Sequence, residues 1–394
     1  MTSYADSTLH YIWDDDLRRY DFGPGHPLAP LRVQLAHKLI GDCGIFDLDN
    51  VTLANGVMSA SQQDLLRVHT PEYIATVQNC SDGLLVEDIA RGLGTPDVPV
   101  FTGMHEAAAR VCGATLAATE QVYTGVSTHA INLAGGLHHA MPGAASGFCI
   151  YNDIGVSIAW LLDQGVERIG YVDVDVHHGD GVQEMFYNDP RVMTISLHEN
   201  PRTLFPGTGR SNEIGGPDAL GSAINIPLPA GTGNDAWLRA FDQIVPAALR
   251  AFKPQILVSQ QGCDSHIDDT LANLALTIEG QRASYQRIHD LAHELCEGRW
   301  IAVGGGGYEW VDVVPRAWTH LTAIAAHAEI DPQSPVPAAF SEFILAHLGR
   351  PAPERMGDGS TLDRVFSSEP YGVVSGVDRA IAETKAAVFP HLGL

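Results

Sequence analysis

Basic residues are scarce in this sequence: across 394 positions, 23 Lys and Arg stand against 47 Asp and Glu, a formal net charge of -24. An acidic field of this size repels phosphate backbones, and no local cluster of Lys or Arg offsets it, so direct nucleic-acid binding is not expected and a cationic substrate is favoured. Cysteine is sparse and dispersed. Cys43, Cys80, Cys112, Cys149, Cys263 and Cys296 form no C-x-x-C pair, which argues against a cysteine zinc knuckle or a disulfide scaffold and predicts reduced thiols in a cytoplasmic protein. No run of about 18 apolar residues occurs, and MTSYADSTLHYIWDDD lacks a basic region leading into an apolar stretch, so neither a membrane span nor export is expected. There is no internal repeat and no G-x-x-x-x-G-K-[ST] phosphate loop.

What is present is a hydrophobic fraction of 45% with short β-branched runs at HYIW, HAINL, RIGYVDVDV, VMTISL, AINIPL, QILVSQ and WIAVGGGG. These read as buried strands. Between them lie HEAAARVCGATLAATEQVY, NDIGVSIAWLLDQG, DAWLRAFDQIVPAALRAF and TIEGQRASYQRIHDLAHELC, whose apolar residues recur at helical spacing. Alternating strands and helices predict an α/β fold with a central, mainly parallel sheet, helices on both faces, and active groups just beyond the carboxyl ends of strands. From Asp331 the composition turns to DPQSPVPAAF and GRPAPERMGDGSTLD. A catalytic domain over 1–328 is therefore expected, with a Pro/Gly-containing extension over 329–394 packed on it or peripheral to it.

Chemistry concentrates at the strand ends. In YVDVDVHHGDG, Asp173, Asp175 and His177 alternate with valines, so an extended backbone sends two carboxylates and an imidazole to one face. Buried carboxylates need positive compensation, and a divalent metal with His177 as a neutral ligand supplies it. Asp264, in QGCDSH, stands after another strand, where it completes an Asp/His/Asp set that leaves an open position for water. His138 and His139 follow two glycines in AGGLHHA and suit general base and general acid work near neutral pH. Tyr308, after four glycines, reads either as a hydrogen-bond donor to an oxyanion or as a packing aromatic. Phe148 and Phe205 read either as walls of an apolar slot or as core.

The segments GHPLAP, GTPDVPVF, GGLHHA, GFCIYND, DVDVHHGDGV, FPGTG, QQGCDSH and GGGGYEW occur in the order found in zinc-dependent histone-deacetylase-like proteins. From about Tyr11 to Ala325 the chain resembles that family, and most of all its bacterial acetoin-utilisation branch. The resemblance implies the arginase/deacetylase fold and hydrolysis of acetyl-lysine to lysine and acetate. It implies Asp175, His177 and Asp264 as zinc ligands, with ferrous iron an alternative, and His138 and His139 as the catalytic pair oriented by Asp173 and Asp180. Tyr308 then polarises the substrate carbonyl, Phe148 and Phe205 wall a tunnel, Gly147 and the rim carboxylate Asp97 contact the substrate, and Arg32 serves acetate release. Potassium is expected around Asp173, Asp175, His177, Ser196 and Leu197, mostly through backbone oxygens.

The implied partners are acetylated proteins, acetyl-CoA synthetase among them. Two other amide substrates or roles compete: an acetylpolyamine or other small-molecule deacetylase, and an acyl-lysine-binding protein without turnover. A binuclear manganese hydrolase of the arginase type is a further reading, and it would need ligands beyond the single set. Polyamine-specific relatives can carry a glutamate seven residues beyond the metal aspartate. Leu271 stands there, so a preference for acetyl-lysine is expected; Asp268 and Asp269, close by in sequence, are the carboxylates that would weigh against it by taking the glutamate's place.

Overall fold

The β-branched runs are buried along both faces, which is why they read as continuous apolar segments and not as an alternating pattern. The computed structural model describes residues 7–360 and 371–394; the last three residues of GRPAPERMGDGSTLD and the start of the chain lie outside them. In chain order the first elements are β1 (Leu9–Ile12), α1 (Leu31–Asp42), β2 (Val51–Ala54), α2 (Gln62–Leu65), α3 (Pro71–Ser81), α4 (Met104–Tyr123), β3 (His129–Asn132), α5 (Asp153–Asp163), β4 (Ile169–Asp173) and α6 (Asp180–Phe186). There follow β5 (Val192–Glu199), β6 (Ala223–Leu228), α7 (Asn234–Phe252), β7 (Ile256–Gln260), α8 (Ile278–Cys296), β8 (Trp300–Val303), α9 (Val314–Ala325), α10 (Ala338–Leu348) and α11 (Tyr371–Leu392).

Among the described residues the strands form one sheet in the order β2-β1-β3-β8-β7-β4-β5-β6. Every pairing is parallel, so the expected mainly parallel sheet is wholly so. The edge strand β2 is only half-buried and its four residues, VTLA, were too short and polar a run to stand out in the sequence. Side-chain alternation divides the core. Tyr11, Ile131, Val172, Leu257 and Trp300 meet residues of α1, α7, α8, α9 and α11 on one face, while Ile12, Ala130, Tyr171, Val258 and Ile301 meet α3 to α6 on the other. No described helix is long and apolar enough to cross a membrane.

Local chemistry starts the helices. Thr70 accepts from Tyr73 N with Pro71 at the first helical position of α3, and Asn152 accepts from Gly155 N to start α5. Beyond residue 328, Phe340 and Ile344 of α10 pack with Leu35 and Leu39 of α1, and α11 lies along α7 and the edge strand β6. The segment between them returns to the body of the protein: the Asp358 carboxylate accepts from Arg316 Nη2, His266 Nε2 and Ile278 N, each at 2.8 Å.

That junction is testable. Arg316 and His266 are buried, and Asp358→Ala leaves both facing a missing carboxylate, which is expected to cost about 3 kcal/mol, the low end for breaking a buried pair. Burial opposes ionisation of Asp358, but the His266 hydrogen bond and the Arg316 charge outweigh it and hold its pKa below the usual carboxylate range. A depressed folded pKa means stability that is present above pH about 4 and lost as the pH falls further. Urea denaturation at pH 7 and pH 3 should therefore show a large gap between wild type and variant that narrows in acid; equal midpoints at pH 7 would contradict the assignment.

Candidate active site

The four strands β3, β8, β7 and β4 are neighbours in the sheet, and the segments after β3, β4 and β8 deliver His138, His139, Asp175, His177 and Tyr308 to one narrow cavity. The cavity, about 20 Å³, is lined by Leu28, Gly136, Leu137, His138, His139, Gly147, Phe148, Cys149, Asp175, His177, Gly305, Gly306 and Tyr308. It holds one water-sized group.

The loop after β3 carries the two histidines and is gripped from below. Asp153, at the start of α5, accepts from Gly136 N at 3.0 Å and Leu137 N at 2.8 Å, while Asn152 Nδ2 donates to the carbonyls of His138 and Ala140. The rings then meet separate carboxylates: His138 Nδ1 lies 2.8 Å from Asp173 Oδ2, and His139 Nδ1 lies 2.6 Å from Asp180 Oδ1. Their Nε2 atoms converge at 3.0 Å. Burial opposes charge on His138, yet the Asp173 and Asp175 carboxylates prevail and raise its pKa to about 9. For His139, burial and the neighbouring His138 charge prevail over Asp180 and lower it. One ring is thus biased toward a proton donor and the other toward an acceptor.

Asp173, Asp175 and His177 do converge, but not through strand alternation. β4 ends at Asp173, and the next residues follow bends. Their arrangement comes from short-range bonds, Asp175 N donating to Asp173 Oδ1 at 3.1 Å and His177 N to Asp175 Oδ1 at 2.9 Å. The two aspartates also part company: Asp173 serves His138 and accepts from Tyr171 Oη, whereas Asp175 faces His177.

His177 Nδ1 lies 3.1 Å from Asp175 Oδ1 and 3.0 Å from Asp264 Oδ2. Asp175, His177 and Asp264 are all buried and offer ligand atoms within 4.8 Å of one another. Two buried carboxylates this close resist joint ionisation: burial and the Asp175 charge push the Asp264 carboxyl up. Burial opposes charge on His177, but hydrogen bonds to both carboxylates prevail and raise its pKa to about 10, so this arrangement attracts positive charge. Two oxygens and one nitrogen fit a divalent metal with an open position.

The Tyr308 loop is fixed from several sides. Gly306 N donates to Asp175 Oδ2 at 2.7 Å, and a Cβ on Gly306 would stand 1.9 Å from Asp264 Oδ2, so the backbone can approach only as glycine. Arg32 donates to the carbonyls of Gly305 and Gly307 at 2.7 and 3.3 Å and stacks over Trp318. It lines a second cavity that shares Leu28 and Leu137 with the first. Burial keeps the Tyr308 hydroxyl protonated, hence a donor, and its ring meets Phe148 edge-on at 5.8 Å.

At the mouth, Asp97 Oδ2 accepts from Gly147 N at 2.8 Å and so holds the turn bearing Phe148. Phe205, 47% exposed, packs edge-on against His139 at 5.0 Å and His177 at 6.3 Å, across from the Phe148–Tyr308 pair. Leu271 lies outside the cavity lining, half-buried in the following loop. Asp269 accepts from Leu271 N at 2.9 Å and from Tyr308 N at 2.8 Å, so this carboxylate is committed to the backbone. Ser196 pairs in register with Asp173, with Leu197 next along β5.

Sequence reasoning missed Gln260, whose Nε2 donates to Asp175 Oδ2 at 2.7 Å, the loop-holding residues Asn152 and Asp153, and the hold of Asp269 on the Tyr308 backbone. Gln260 ends the strand run QILVSQ, a polar residue at a buried strand terminus, which is the one signal it offered.

A histone deacetylase domain model matches residues 26–325. The chain belongs to the histone deacetylase family, a family of deacetylating hydrolases. Within it lie acetoin utilization proteins AcuC: that of Bacillus subtilis (strain 168) is 43% identical over 313 residues, 79% of this chain and 80% of that one. The AcuC of Staphylococcus xylosus is 35% identical, covering 81% and 83%, and that of Staphylococcus aureus (strain MSSA476) 34%, covering 82% of each.

The ligand set yields a direct test. Asp264→Ala should bind one metal equivalent less than wild type and lose turnover, because two donors remain where three are needed. Elemental counting on purified protein checks this; an unchanged metal content refutes the ligand set.

Proposed function

We propose that the protein is a metal-dependent lysine deacetylase that hydrolyses the side-chain amide of acetyl-lysine to lysine and acetate. One observation carries the reading: members of a three-donor metal set, of two imidazole–carboxylate pairs of opposite proton bias, and a protonated tyrosine line one narrow cavity, through Asp175, His177, His138, His139 and Tyr308. Asp175, His177 and Asp264 would hold the cation, zinc in this reading or ferrous iron in its place. When bound, the metal supplies Lewis acidity toward the carbonyl and lowers the pKa of water.

The remaining steps belong to the chain's own residues. His139, held by Asp180, takes the proton of the attacking water at Nε2. Tyr308 donates its hydroxyl hydrogen to the oxyanion as the acyl carbon becomes tetrahedral. His138, kept charged by Asp173, supplies a proton to the nitrogen as the C–N bond breaks, so lysine leaves as a neutral amine; the acetic acid formed returns its proton to His138 and remains as acetate, and the lysine amine takes up the proton held by His139. Arg32 attracts that acetate toward the second cavity, and Phe148 and Phe205 hold the aliphatic stem. Asp97 and Gly147 meet the backbone of the substrate at the rim. Potassium beside Asp173, Asp175, His177, Ser196 and Leu197 would stiffen the β4–β5 end. Acetylated metabolic enzymes such as acetyl-CoA synthetase are the proposed substrates.

Hydrolysis of an acetyl-lysine peptide, followed by acetate release, tests the reading. Tyr308→Phe should retain metal and fold while turnover drops on the order of 10²-fold to 10³-fold, the effect of losing an oxyanion donor. Peptide binding with no acetate release from wild-type protein would instead indicate an acyl-lysine-binding protein.

Substrate class is tested at Leu271. With Asp269 committed to Tyr308 N and Leu271 N, it is not free to pair with a second ammonium, which strengthens the case against acetylpolyamines. We expect higher kcat/KM for acetyl-lysine peptides than for N-acetylputrescine or N-acetylspermidine, and a shift toward the polyamines in Leu271→Glu. A wild-type preference for the polyamines would overturn this.

A further inference from the structure

At the opposite end of the sheet from the cavity, a second group of histidines gathers. His129 is the first residue of β3, at the strand's amino end, whereas His138 and His139 follow its carboxyl end. His289 and His293 stand four apart on α8, hence on one helix face. His327 follows α9 with a φ of +53°, a left-handed conformation that costs a non-glycine residue about 1 kcal/mol or more.

We propose that His129, His289, His293 and His327 form a second transition-metal site, structural in role, that takes a d-block divalent cation such as zinc. Each residue offers one ring nitrogen, and the four atoms lie within 4.8 Å of one another. His129 Nε2 and His293 Nε2 are already 3.1 Å apart. Four nitrogens placed tetrahedrally about 2.0–2.1 Å from zinc stand roughly 3.3–3.4 Å from each other, so closing the site takes small ring movements. An all-imidazole set suits zinc, copper or nickel and disfavours magnesium or calcium.

The surroundings are those of a ligand set. The four rings lie in a ring cluster with centroids 4.5–5.5 Å apart, against one edge of the Trp300 indole. Burying the His129 and His289 imidazoles for packing alone brings polar ring nitrogens into the interior that leucine or phenylalanine would not bring. Gly298 abuts the group: a Cβ there would come within 3.0 Å of His293 Cε1 and 3.7 Å of His129 Cε1.

His289 turns Nδ1 toward Asp290 Oδ1 at 3.4 Å, and the Glu329 charge acts on His327, the outer carboxylates that commonly accompany metal-bound imidazoles. His129 and His289 are buried while His293 and His327 are half-buried, so the site opens to solvent on one side. A cation there ties β3, α8 and the end of α9 together without touching the cavity. Whole protein then holds two metal equivalents, and the count of one expected from the catalytic ligands alone applies once this site is removed.

The test uses full-length Asp264→Ala protein, stripped with chelator and titrated by calorimetry with Zn²⁺ and by visible absorption with Co²⁺. One equivalent should bind, with the d–d bands of tetrahedral cobalt and a rise in Tm. Adding His293→Gln or, separately, His327→Gln should weaken binding by more than about 100-fold, beyond the loss typical of even an outer-shell partner. In otherwise wild-type protein the same two substitutions should reduce the metal count from two to one and leave turnover unchanged. Absence of metal from Asp264→Ala protein with all four histidines intact, or unchanged affinity in His293→Gln and His327→Gln, would show the cluster to be packing only.

Discussion

The structure turns on the burial of three carboxylates, Asp173, Asp175 and Asp264, at the carboxyl ends of β4 and β7. Left unpaired, each would cost several kcal/mol, so donors crowd around them. Asp173 receives Tyr171 Oη and the His138 ring; Asp175 receives Gln260, Gly306 N and His177; Asp264 receives Val176 N and His177. These donors come from four adjacent strands and the loops that follow them. Compensating the charge therefore fixes the loop positions, and the fixed loops define the cavity. The same need explains the glycines after β8, since any side chain on Gly306 would displace either the carboxylates or the backbone donor.

Strand order makes this economical. Because β8 inserts between β3 and β7, the last strand in the chain brings Tyr308 beside histidines from residues 138 and 139 and an aspartate from residue 264. Arg32, from the first helix, reaches the same glycine loop from beneath and so couples the earliest part of the chain to the latest. The tyrosine is consequently held at three points: by Arg32 through the preceding carbonyls, by Asp269 at its own N–H, and by Phe148 at its ring. A donor whose hydroxyl must meet a developing charge gains from rigidity of this kind, because no reorganisation is required when the charge appears.

Much of this was legible in the sequence, and the exceptions have physical causes. Seven of the strands announced themselves because burial on both faces demands unbroken apolar runs; β2 did not, being a half-buried edge. The carboxylates and imidazoles of the cavity stood out because such groups at strand ends are costly without a partner. What a sequence does not carry is the identity of hydrogen-bond partners across long separations. Asp269 stood out only as a carboxylate close to Leu271 in sequence, and only the fold reveals that it accepts from the backbone N–H groups of Leu271 and Tyr308. Likewise the alternation in D-x-D-x-H is not what groups its residues: carboxylate-to-backbone bonds, not strand pleat, turn Asp175 and His177 together.

Histidine shows the limit most clearly. The chain contains 18, and composition treats them alike. Position does not separate them either: His293 sits on an ordinary helical stretch and reads as surface or packing. Their neighbours do. Beside Asp173 and Asp175, burial is outweighed and His138 keeps its proton up to a pKa of about 9, which makes it an acid. Among other imidazoles, with carboxylates only at the periphery, burial and repulsion act in the same direction and His289 falls to about 4, which keeps it neutral. One sheet thus holds a single side chain in opposite states. What decides is whether buried carboxylates outweigh burial and neighbouring imidazoles, as they do at His138 and not at His139 or His289, and that is a property of the fold alone.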